Sequence, residues 1–204
     1  MRSPDFLMPP DNCVLVLIDH QAGLAHSVES IERQRLFENT VALVQTARVF
    51  DLPIVVSTSV TKVYSDPLLP GLRDLLPTQR VYARCVMNVW EDQDVRGAIQ
   101  ATGRRNILFS GMLTEACISL PVLCAQADGY STFVVADACG GLTAVGHEMA
   151  LRRMQSHGAQ MTSWAQVLLE LQRDWSRHAI CDSARSVLDQ RRRERIECKC
   201  EGNP

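Results

Sequence analysis

Six short strand-like runs divide this chain, at residues 13–19, 53–58, 80–84, 106–110, 131–136 and 159–163. They are rich in Val, Ile and Leu and do not alternate cleanly with polar residues, the pattern of strands covered on both faces. Between them lie amphipathic stretches at about 31–50, 91–102, 115–128, 143–157 and 164–175, long enough for helices. This alternation predicts an α/β fold, a parallel sheet with a helix layer on each face. Right-handed crossovers then bring the C-terminal end of every strand to one edge. Gly129 and Gly158 stand where helices should stop, as left-handed terminators. Pro121 falls early in the 115–128 stretch and predicts an irregular first turn. Residues 60–78 carry Pro67, Pro70, Gly71 and Pro77 and read as a long loop with one helical turn at Gly71–Leu75. Loops of that length serve as lids or oligomer contacts.

Three polar residues fall at the shared edge. Asp19 follows the run Cys13–Ile18 and is the carboxylate at the end of a buried strand, where open α/β sheets bind ligands. Arg84 closes the run 80–84. Cys117 sits in Gly111-Met112-Leu113-Thr114-Glu115-Ala116-Cys117, which joins a strand to a helix. Free N–H groups and the positive end of the helix dipole favour a thiolate there, the form that attacks carbonyl carbon. Taken singly, each has a plainer reading: a turn-capping Asp, a surface Arg, a small apolar Cys. Their meeting on one edge favours a thiol nucleophile with an acid beside it.

Composition narrows the partners. A chain of 204 residues suits one domain, expected over 1–180, with 181–204 as a C-terminal arm or tail, either an oligomer contact or partly disordered. A net charge of −2 gives no reason to expect nucleic acid or a membrane surface, and no apolar run approaches the ~20 residues of a membrane span. The first ten residues lack the apolar core of an export signal. Eight scattered cysteines read as free thiols in a reducing cytoplasm. Cys198-Lys199-Cys200 has no second ligand pair, so neither a metal nor another cofactor is expected. The run Arg191–Arg195 reads as a solvated helix or a docking arm.

Together these residues resemble the isochorismatase-like cysteine hydrolase superfamily, and within it the YcaC-like branch. Leu17-Ile18-Asp19-His20-Gln21-Ala22-Gly23-Leu24 is similar to the branch's first strand and turn. Ala83-Arg84 through Asn88-Val89-Trp90-Glu91-Asp92 is similar to its Arg-to-Asn-x-Trp segment, and Gly111 to Cys117 to its Gly-x-x-Thr-Glu-x-Cys pattern. Val135-Ala136-Asp137-Ala138 and Glu170-Leu171-Gln172-Arg173-Asp174-Trp175 match further features, so the likeness covers roughly Cys13 to Trp175. The resemblance implies a Rossmann-like three-layer α/β/α sandwich with a six-stranded parallel sheet in the order 3-2-1-4-5-6. It implies a triad of Asp19, Arg84 and Cys117. It also implies a cis peptide between Leu113 and Thr114, whose N–H groups form an oxyanion site, and a homo-oligomer, an octamer being typical of the branch. Asn88, Trp90 and Trp164 are candidates for the wall of the substrate pocket.

Two departures from the superfamily matter. Many members carry a lysine where Arg84 stands, but the only lysines here are Lys62 and Lys199. Arginine stays protonated, so Arg84 would hold Asp19, stabilise a thiolate or bind an anionic group without shuttling protons. The stretch Cys85-Val86-Met87 is one residue shorter than its counterpart in the branch, which puts Cys85 in reach of the pocket wall. The activity implied is cleavage of a small amide through a thioester on Cys117. The alternative is a non-catalytic oligomer or redox sensor on the same fold. Nicotinamidase chemistry needs Asp and His ligands after the second strand, and Val56–Thr61 has neither.

Overall fold

The computed structural model of the protein describes residues 7–60, 66–177 and 181–190. Strand β1 (Cys13–Ile18) is buried along its whole length. It lies between β2 (Ile54–Ser59) and β4 (Asn106–Met112), in parallel register with both. With β3 (Val81–Arg84), β5 (Ser131–Gly140) and β6 (Gln160–Thr162), the sheet has the order β3-β2-β1-β4-β5-β6, all parallel, as expected.

The two-residue period of a strand sorts the core into two layers. Cys13, Leu15 and Leu17 pack with α2 (Arg33–Val49), α3 (Pro70–Leu75) and α7 (Trp164–Gln172). Val14, Val16 and Ile18 pack on the other face with α4 (Gln93–Ala101), α5 (Ser119–Ala127) and α6 (Ala144–Ser156). Each such side chain, fully buried, contributes roughly 2 kcal/mol, which is why β1 tolerates no polar residue before Asp19. Side chains start the helices: Asp92 accepts from the N–H groups of Asp94 and Val95, Thr143 from Gly146, and Ser163 from Gln166.

Three features differ from expectation. A short helix, α1 (Ala22–His26), follows β1. Strands β4 and β5 run past their predicted ends through Gly111–Met112 and Cys139–Gly140, which pair with one another. Residues 181–190 form a helix whose Ala184 and Val187 are buried in the same core as α2 and α7, so this part of the expected arm is packed on the domain. Arg191–Arg195 and Cys198-Lys199-Cys200 lie outside the described residues. Cys13, Cys85, Cys117, Cys124, Cys139 and Cys181 are free thiols. No helix among the described residues is long and apolar enough to cross a membrane.

Candidate active site

Strand β1 delivers Asp19 to the edge in an unusual conformation. Its φ of 58° lies in the left-handed region, which costs a residue with a side chain roughly 1–2 kcal/mol and is commonest for Asp, Asn and Gly. The Asp19 N–H still bonds to Ser57 O at 2.9 Å, so the residue turns without leaving the sheet. The carboxylate meets Arg84, the last residue of β3: Nη2 donates to Oδ2 at 2.6 Å, with both side chains essentially buried. Arg84 Nη1 donates to Val86 O at 2.7 Å. The guanidinium is therefore occupied in holding Asp19 and the turn after β3. Asp19 Oδ1 and Arg84 Nε are buried without a hydrogen-bond partner among the described residues.

Cys117 is 9% exposed and is the fourth residue of a π turn, Thr114–Ile118, that precedes α5. This is the irregular first turn predicted from Pro121. Ile118 N–H bonds five residues back to Leu113 O, and proline has no N–H to give the Cys117 carbonyl. Burial and the Asp19 carboxylate push the Cys117 thiol up to about 11, against the Leu113 amide and the Arg84 charge. Desolvation thus favours the neutral thiol, against the pull of the helix start. Burial also raises Asp19 above the usual carboxylate range, although Arg84, the Cys117 thiol and the Ser59 backbone pull it down. A raised carboxylate is a better proton acceptor than an ordinary one.

The approach to Cys117 is packed against β1. A Cβ on Gly111 would lie 2.1 Å from Ile18 O, so only glycine lets β4 pass there. The non-proline cis peptide is Met112–Leu113, one bond before the position expected. Strand β4 pairs through Met112 and the π turn begins at Thr114, so the bond lies where strand gives way to turn. Thr114 is fully buried, with its hydroxyl 2.8 Å from His147 Nδ1 on α6. Glu115 Oε1 accepts from Leu142 N–H at 2.9 Å. Neither contact was legible in the sequence, where His147 lies 33 positions from Thr114.

The pocket candidates separate. The Asn88 side chain closes its own turn, accepting from Trp90 N–H and donating to Glu91 and to Cys124 Sγ. Trp90 donates to Asp128 Oδ2, at the end of α5 remote from Cys117, and stacks edge-on with Tyr130. Trp164 is buried in the α2–α7 core, on the sheet face opposite the cluster that holds Cys117. Cys85 is exposed and its Sγ bonds to Val60 O at 3.2 Å. Gln21, which the sequence did not single out, ties β1 to the neighbouring loop through Ser59 and Asp66. His20, next to Asp19, has a purely internal partner: Nε2 meets Ser110 Oγ at 3.1 Å, and Ser110 donates to Ala138 O. Among the described residues, no three His, Cys, Asp or Glu side chains converge as a metal site.

Comparison with known proteins gives the family and the fold. The isochorismatase domain family matches residues 13–166. The Escherichia coli protein named "Probable hydrolase YcaC" is 35% identical over 176 residues, which cover 86% of this chain and 85% of that protein. The crystal structure of the Escherichia coli YcaC gene product, described as an octameric hydrolase of unknown specificity, superposes with a TM-score of 0.86 at 31% identity, covering 99% of this chain and 100% of that one. YcaC from Pseudomonas aeruginosa, solved with hexane-2,5-diol and covalent acrylamide, gives a TM-score of 0.83 at 30% identity over 94% of this chain and 98% of its own. The chain belongs to the isochorismatase-like hydrolase family, on its YcaC-like branch.

Proposed function

We propose that the protein hydrolyses a C–N bond of a small amide, with Cys117 as nucleophile, Asp19 as general base and acid, and Arg84 as the cation that holds Asp19. The observation that carries this reading is the buried Arg84–Asp19 pair beside a buried thiol whose titration the carboxylate shifts. In acylation the Cys117 sulfur bonds to the carbonyl carbon while the thiol proton passes to Asp19 Oδ1, the oxygen that Arg84 leaves free. The N–H groups of Cys117 and of Leu113 or Thr114 stabilise the oxyanion, at roughly 3 kcal/mol per donor. The C–N bond then breaks, and the amine leaves with the proton held by Asp19. Water attacks the thioester, gives a proton to Asp19, and the carboxylic acid departs as the proton returns to sulfur. No step asks Arg84 to move a proton.

A redox-sensing role fits this thiol less well, because sensor cysteines are low-pKa and accessible, whereas Cys117 is pushed up to about 11 and is 9% exposed. A homo-oligomer belongs to the same proposal. The Escherichia coli relative is described as octameric, and Val145 and Met149 expose 72% and 49% of their surface on α6. The test is a panel of small primary amides, read by ammonia release and by mass spectrometry of the acylated protein. The expected result is an acyl adduct mapped to Cys117 and no turnover in Cys117→Ala. Undiminished turnover in that variant would overturn the reading.

A further inference from the structure

The turn that carries Cys117 is closed from within by backbone bonds alone: Ala116 and Ile118 N–H to Leu113 O, and Ser119 N–H to Ala116 O and Thr114 O. It is a single π turn, and its first flanking residue, Leu113, makes no side-chain cap. The side chains of two consecutive residues of this turn are tied to α6 and to the loop just before it. Thr114, fully buried, meets His147 Nδ1 at 2.8 Å, and Glu115 Oε1 accepts from Leu142 N–H at 2.9 Å. The space for the Glu115 carboxylate exists because two neighbours are glycines. A Cβ on Gly146 would lie 2.6 Å from Glu115 Oε1, and one on Gly141 would lie 2.9 Å from it. The second oxygen, Oε2, is buried without a hydrogen-bond partner among the described residues.

We infer that the start of α6 clamps the nucleophile turn, His147 holding Thr114 and Leu142 holding Glu115, and that this clamp sets the reactivity of Cys117. The inference rests on the reading of Cys117 as nucleophile and adds His147 and Glu115 to it as positioning residues. Neither is placed to touch the reacting atoms; they act through Thr114 and Leu113. The link to sulfur is short, because the Leu113 amide already favours the thiolate of Cys117. A turn that drifts from α6 carries Leu113 and Thr114 with it and weakens both that contact and the oxyanion site. The groups facing His147 are Glu115 on the turn and Glu148 on its own helix; burial outweighs both and lowers its pKa from 6.5, so the imidazole is neutral above pH 7. The Thr114–His147 contact is therefore a constant feature of the alkaline range in which the thiol reacts.

The experiment is modification of Cys117 by acrylamide, followed thiol by thiol by mass spectrometry from about pH 7.5 to about 9. His147→Leu and Thr114→Val are each expected to slow modification about tenfold, as for loss of one buried hydrogen bond, at an unchanged slope against pH. His147→Asn, whose amide takes the place of Nδ1, is expected to stay within about threefold of wild type. The double variant should be no slower than the slower single one, because both remove the same contact. Rates within about twofold of wild type for both single variants, or effects that multiply, overturn the clamp. If His147→Leu does not fold, Thr114→Val, which removes a hydroxyl at constant shape, decides alone. Asp19→Asn is run beside them. If it does not slow modification, the nucleophile reading fails and the clamp with it; if it does and the clamp variants do not, only the clamp fails.

Discussion

Cys117 and Cys139 are both buried thiols in neighbouring parts of the sheet edge, and they differ in what stands beside them. Cys139 lies in β5, in register with Gly111; it is fully buried, and its Sγ sits 3.9 Å from Phe109 O. Burial pushes it up to about 12. Cys117 is pushed up to about 11, also by burial first, but with the Asp19 carboxylate and the Arg84 guanidinium acting on it. A low dielectric therefore makes both thiols neutral. In the proposed mechanism, what separates the reactive cysteine from the inert one is a base delivered by β1 and anchored by β3, rather than a property of the sulfur.

The largest effect that can break this comparison is on turnover. Cys117→Ala should lower amide hydrolysis at least about 1000-fold, while Cys139→Ala stays within about twofold, both read from ammonia release. Comparable losses in both would erase the distinction. Arg84→Met comes next. It leaves a buried carboxylate without its cation, so urea denaturation should show a loss of about 3–4 kcal/mol. The acidic limb of the pH–rate profile should also move to higher pH, because Arg84 is what opposes the rise in the Asp19 pKa. Unchanged stability would mean that the pair is not held as described.

Stability against pH sharpens the contrast between Asp19 and its neighbour His20. Burial lowers His20 from 6.5 to about 4. The folded state therefore binds fewer protons than the unfolded state between those values. The stability from the neutral imidazole is fully present above 6.5 and is lost as pH falls toward 4, by about 3 kcal/mol. His20→Asn should flatten that acid limb in thermal melts. At the other extreme Cys13 and Cys139, each raised from 9.0 to about 12, lose their contribution as pH rises through that interval. The smallest effect is expected at Trp164: Trp164→Phe should leave Cys117 modification within about twofold, because the indole packs on the other sheet face.

The parts legible in the sequence were those with a periodic or positional signal. β1 is a continuous apolar run because both its faces are covered, Asp19 stands out as the first polar residue after it, and Arg84 as the residue that closes β3. Helix α1 has five residues, too few to show a period. Gly111, Met112 and Gly140 carry no strand preference and become strand through pairing across β4 and β5. The cis bond, Met112–Leu113, falls at the end of that extra length. The state of the Cys117 thiol depends on burial, which residue spacing does not report. The partners of Trp90 and Trp164 were not legible either, because an aromatic residue near a motif reads the same whether it lines a site or fills a core.

Asp19→Asn gives the most direct measurement, the rate at which acrylamide modifies Cys117 at about pH 8.5, resolved by mass spectrometry. In that reaction the sulfur bonds to the terminal alkene carbon and the thiol proton ends on the carbon beside the carbonyl. The Asp19 charge raises the Cys117 pKa, so removing it as a mere charge would yield more thiolate and a faster rate. If Asp19 is the base that takes the thiol proton, the rate should instead fall about tenfold or more. A rate that rises or stays level would contradict the account.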